Sequence, residues 1–168
     1  MTSRPLTQSE IDFARQVFES QLPYDRVRIA SFYLPGNKGV PVTLASASCL
    51  IPARSMRRYT IYFGPEVFRD GADVRDGDTF IHELTHVWQG YHGHLGWEYM
   101  ARSLVAQGRA IWTRGGRRWA YEYEPGLPWR SYNVEQQAQL VQDWLRRGMK
   151  TDDDRYIYVA EHIRAGRN

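Results

Sequence analysis

The stretch "HELTHVWQ", residues 82–89, narrows the folds open to this chain more than any other. On a helix, residues four apart lie about one turn apart on the same face. His82 and His86 then present both imidazoles to one side. Ile81, Leu84 and Trp88 fall on a neighbouring side and form an apolar stripe. The helix is amphipathic in a specific way, with one side for the core and one that can hold a metal ion. Glu83 stands beside the histidines, badly placed as a third tetrahedral ligand but able to bond to a water at the metal. His-Glu-x-x-His is the spacing of a zinc peptidase helix, and such a site normally takes three protein ligands. The rest of the fold must therefore bring a third residue to this helix.

Three residues are candidates. His92 stands ten positions after His82, where metzincins place a third histidine. They need glycine at the position of Gln89 to turn the chain, and here Gly90 comes one place late. Glu98 is a second candidate, on the flank of a short helix that faces water. Glu135 is the third and the preferred one. It opens the helical run "YNVEQQAQLVQDW", as in gluzincins, where a second helix packs on the first and offers a glutamate. Val134, Ala138, Val141 and Leu145 mark the buried side of that run, and Glu135 adjoins it. A carboxylate buried there without a cation would be costly, and Zn2+ would supply the charge.

Around these two helices the expected architecture is α+β, a single domain over 1–168. A helix capped at Ser9 is followed by three strands, "RVRIASFYL", "PVTLASASCLI" and "RRYTIYFG", which suggest a small antiparallel sheet. Residues 69–78, "RDGADVRDGD", read as a polar loop, with Asp78 or Thr79 capping the motif helix. Helices are expected over "WEYMARSLVAQ", "VEQQAQLVQDWLRRG" and the C-terminal tail. The strand "RRYTIYFG", just before the motif helix, could pair with an extended peptide substrate.

Composition excludes several classes. Hydrophobic residues make up 42% and charged residues 24%, a globular balance. The one cysteine, Cys49, excludes an internal disulfide and a cysteine-rich zinc site, and reads as a small buried strand residue. Net charge is +3, and the arginine clusters 54/57/58, 114/117/118 and 146/147 match no nucleic-acid motif, so they read as solvated faces. No stretch is long and apolar enough to span a membrane, and "MTSRPLTQSE" lacks a signal-peptide core. The chain is thus expected to start in the cytoplasm and, if it works outside, to leave without a cleaved leader.

"HELTHVWQ" followed by "YNVEQQAQLVQDW" resembles the zinc metallopeptidases linked to type VI secretion, including the metallopeptidase extensions of VgrG spike proteins and vgr-related proteins. The resemblance covers roughly residues 78–145. It implies a zincin-like fold, with His82, His86 and Glu135 as zinc ligands and Glu83 as general base. It also implies a protein or peptide substrate and a secretion-spike partner. Many gluzincins carry a carboxylate four residues after the ligand glutamate; here that position is Gln139, which can still accept a bond from a ligand histidine. Of the tyrosines leading into the second helix, Tyr121, Tyr123 and Tyr132, the last is the chosen oxyanion donor. The alternative is a zincin-fold adaptor of a secretion system with weak or no turnover.

Overall fold

A computed structural model describes residues 2–35, 39–46 and 53–168. Cys49 and the tip of the turn at 36–38 lie outside them. Four strands form one sheet in the order β1-β2-β4-β3: β1 (Ser3–Pro5), β2 (Val27–Ala30), β3 (Val42–Ala45) and β4 (Tyr59–Tyr62). The α+β class holds, but the sheet is mixed rather than antiparallel. β1 and β3 run antiparallel to their neighbours, while β2 and β4 are parallel, with Ile29 opposite Ile61. β3 pairs with β4 and takes the outer edge, so β4 returns beside β2 in the same direction. β4 is therefore interior, and β3 is the edge strand next to the motif helix. β1 is three residues long, too short for a period-two pattern to reveal.

Helix α1 (Gln8–Phe18) is capped by Thr7 rather than Ser9. Thr7 Oγ1 accepts from the Glu10 N–H, and the Glu10 carboxylate accepts from the Thr7 N–H, a reciprocal capping box. The same carboxylate is fully buried, grips Arg4 through two bonds of 2.7 and 2.8 Å, and accepts from the Ala72 N–H. Burial would raise its pKa, but Arg4 and these N–H donors hold it below the usual carboxylate range. This anchor explains why the supposed loop at 69–78 is ordered. It contains the end of α2 (Pro65–Asp70) and all of α3 (Ala72–Arg75), separated by Gly71 at φ +99°.

Next come α4 (Gly77–His92), α5 (Glu98–Arg114), α6 (Val134–Arg146) and α7 (Tyr156–Tyr158), which runs on as a π-helical turn through Ile163. Asp76 caps α4, its side chain accepting from the Thr79 N–H. α4 is the central pillar. Phe80, Ile81, Leu84 and Trp88 are fully buried in one core with Val27, Ile29, Tyr59 and Ile61 of the sheet. Trp88 Nε1 donates to the Ile163 carbonyl, tying the C-terminal turn to the pillar.

The end of α4 departs from the sequence reading. Arg57, expected on a solvated face, is buried. Its Nη1 donates to the carbonyls of Gly90, Tyr91 and Gly93 at 2.8–2.9 Å, and its Nη2 to that of His94 at 2.6 Å. A cation there satisfies helix-end carbonyls and complements the helix dipole. Gly90 does not turn the chain. A Cβ on it would lie 2.6 Å from the Gly96 carbonyl and 2.7 Å from the Tyr59 ring, so the glycine permits close packing.

Candidate metal centre

α4 and α6 pack against each other, and the contact brings three chemical groups together. α6 is capped by Asn133, whose side chain accepts from the Glu135 and Gln136 N–H groups while the Gln136 Oε1 accepts from the Asn133 N–H. This capping box sets Glu135 in the first turn, aimed at α4. His82, His86 and Glu135 are all buried, and each offers one ligand atom within 4.8 Å of the others. Glu135 Oε2 lies 3.4 Å from His82 Nε2 and 3.5 Å from His86 Nε2. Those separations match the edge of a tetrahedron of zinc ligands, about 3.3–3.5 Å for bonds of roughly 2.0–2.1 Å.

Each group is held from behind. His86 Nδ1 meets Gln89 Oε1 at 2.8 Å, and His82 Nδ1 meets Gln142 Oε1 at 3.1 Å. Gln89 Nε2 donates to the Val134 carbonyl, which fixes its amide so that the oxygen faces His86. In the neutral ring Nδ1 of His86 therefore carries the proton, and Nε2 turns its lone pair to the shared centre. The other oxygen of Glu135 accepts from Ser103 Oγ and from Gln107 Nε2, both on α5. That leaves Oε2 alone facing the histidines.

The electrostatics call for a cation. Burial would push His86 down, but the Glu135 carboxylate outweighs it and raises the imidazole to about 9. Burial likewise acts to raise Glu135, yet His86 and His82 hold it well below the usual carboxylate range. In the absence of metal the group holds a proton; two imidazole nitrogens and a carboxylate are equally the donor set of a zinc site.

Glu83 is buried beside this group. Its Oε2 accepts from Thr43 Oγ1 of β3 at 2.6 Å. The Thr43 carbonyl accepts from the Tyr99 hydroxyl, and the Tyr99 ring stacks on His86 with centroids 5.7 Å apart. Edge strand, α5 and motif helix thus meet at one point.

No family model matches the chain. It is 32% identical over 151 residues to the type VI secretion system spike protein VgrG2b of Pseudomonas aeruginosa, a match covering 84% of this chain and 13% of that protein. Its structure superposes on the effector domain of Pseudomonas aeruginosa VgrG2b with a TM-score of 0.59 and 28% identity, covering 98% of this chain and 83% of that one. The chain is a homologue of the VgrG2b effector domain. The homology extends well beyond residues 78–145, into an N-terminal half where no motif signals it.

Within this VgrG2b effector-domain homologue, the other sequence candidates stand apart from the triad. α4 runs straight through Gln89, so His92 Nε2 ends up 2.9 Å from the Gln21 carbonyl, with its ring against Trp88. Glu98 accepts from the Leu95 N–H near the start of α5. The Tyr132 hydroxyl donates to the Glu124 carbonyl, accepts from the Leu127 N–H and meets the Tyr158 hydroxyl. None of these partners belongs to the triad. Tyr123 donates to Asp143. Of the three tyrosines leading into α6, Tyr121 is the one beside the triad, its ring 5.8 Å from that of His82.

Gln139 donates to Asp143, not to a histidine. The supporting positions are Gln89 and Gln142, with Ser103 and Gln107 behind Glu135. Gln142 sits seven residues, about two turns, beyond Glu135, so helical spacing puts both on one face. Nothing in the chain signals the α5 pair. Gln89→Ala is expected to weaken metal binding, assayed with zinc, by about 10–100-fold, and Gln139→Ala to leave it unchanged. Competition with a chromogenic chelator measures both; the opposite ranking would refute this assignment of supports.

Proposed function

We propose that this domain is a zinc-dependent peptidase that acts as a type VI-linked secreted effector. The observation that carries the reading is the buried His82–His86–Glu135 group, with its zinc-like edges and Glu83 alongside. The homology supports the secretion context: the relative is a spike protein, and this chain matches its effector domain. A type VI spike is accordingly the proposed partner. No helix among the described residues is long and apolar enough to cross a membrane.

His82, His86 and Glu135 would hold the ion. Zinc, when bound, supplies the Lewis acidity that activates a water and polarises a peptide carbonyl. Glu83, held by Thr43, accepts the proton of the attacking water and delivers it to the leaving amine. Tyr121, beside His82, is better placed than Tyr132 to donate to the developing oxyanion. The substrate strand is expected along β3 rather than β4, because β3 is the edge and carries Thr43.

The test is zinc content together with cleavage of a fluorogenic casein. The proposal expects one zinc ion per chain, cleavage lost on chelation and cleavage restored by zinc. A protein that takes up no zinc refutes the metal reading. A zinc-loaded protein without cleavage favours the adaptor reading, for which the amide supports of both histidines also speak, since they add no charge.

A further inference from the structure

α5 has two unlike faces. Tyr99, Ser103, Gln107 and Ala110 point inward, towards the metal centre and the core. The opposite face carries Leu104, Val105, Ile111 and Trp112, at i, i+1, i+7 and i+8, which form one strip along the helix. Leu104 is 72% exposed, Val105 69% and Trp112 91%. An indole so open to water loses the hydrophobic gain that nearly every other large ring of this protein makes. Gly108 lies within the strip, and a Cβ there would meet nothing, so the surface is open along its length.

Arginines border the strip. Arg102 and Arg109 lie along one side, and Arg114 on the other; all three are exposed. None is in an ion pair among the described residues. Arg114 and Arg118 both rest over the Trp119 ring, at 5.4 and 4.8 Å, so the charge continues past the end of the helix. A basic groove of about 1120 Å³ opens alongside, lined in part by Arg102, Arg109 and Arg130.

We propose that the outer face of α5 docks on an anionic lipid bilayer, lying in the interfacial plane. The charge selects this occupant. A second copy would set arginine against arginine around the strip, which like charges oppose. A bilayer with anionic headgroups meets the arginine border while Leu104, Val105, Ile111 and Trp112 enter the acyl boundary. Leu104, Val105, Ile111 and Trp112 are all exposed on one face of a single helix, so a plane can meet them together. No helix among the described residues is long and apolar enough to span, and the proposed mode is surface attachment.

The test uses the whole chain and needs neither zinc nor turnover. The protein is sedimented with vesicles of phosphatidylcholine alone and of phosphatidylcholine mixed with phosphatidylglycerol, and tryptophan emission is followed. The proposal expects binding to the anionic vesicles only, with a blue shift, weakened by high salt. Trp112→Ser with Leu104→Ser is expected to lower partitioning by about tenfold or more. Arg102→Gln with Arg109→Gln should weaken it while leaving circular dichroism unchanged. Equal binding to both vesicle types, no binding to either, or wild-type binding by both double variants overturns the proposal. Self-association or capture of an acidic protein through this face, without vesicle binding, overturns it as well.

Discussion

Glu83→Gln is expected to keep its zinc and to lose peptide turnover by about 10²–10⁴-fold, the usual weight of a general acid–base group. The substitution is nearly isosteric, and the amide can still accept from Thr43 Oγ1 at the 2.6 Å contact. Its shape and packing survive; its capacity to take a proton does not. Glu83 lies outside the group whose donor atoms converge, so the ligand set is untouched. Metal analysis and kcat on the same preparation give the answer. Near-normal turnover would remove Glu83 from the mechanism, and loss of zinc would make it a ligand.

Glu135→Ala is expected to strip the centre of metal, with affinity falling by more than about 100-fold. Loss of a supporting residue alone typically costs about 10–100-fold, and this change removes a ligand. It also removes the carboxylate that does most to raise His86, leaving Glu83 as the remaining negative charge beside two buried imidazoles. His92→Ala is the matched control. Its ring serves the Gln21 carbonyl and packs on Trp88, so zinc affinity should stay at the wild-type level. Titration against a chelator separates the two. Zinc kept by Glu135→Ala and lost by His92→Ala would put the third ligand at the end of α4 instead.

The features legible in the sequence share one property: they are periodic along a single helix. His82, His86 and the apolar stripe of α4 follow from a 3.6-residue repeat, as does the helix that opens with Glu135. The gluzincin pattern and the family resemblance both lead one to expect these two helices to converge, and the structure brings their residues together. What escaped depends on partners distant in sequence. Thr43 reaches Glu83 from 40 residues away, and Arg57 finds its carbonyls 33 to 37 residues on. No local pattern marks either residue, and a buried arginine resembles a surface one until its acceptors are known. The parallel β2–β4 pair was hidden likewise, because strand order depends on where β3 lies rather than on any strand's own composition.

The edge of the sheet beside the metal centre is not bare. The Thr43 carbonyl is taken by the Tyr99 hydroxyl, and the Ala45 N–H by Met100 Sδ at 3.4 Å, both from α5. Any peptide that pairs with β3 competes for these two groups. Freeing them costs on the order of 1–2 kcal/mol at typical net hydrogen-bond values. At the upper figure the binding-competent form is about 3% of molecules, and the apparent affinity for such a peptide would fall to that fraction of its intrinsic value. A sequence that matched the cleft without displacing Tyr99 and Met100 would thus be a poor substrate. The same cover keeps an open strand from templating aggregation.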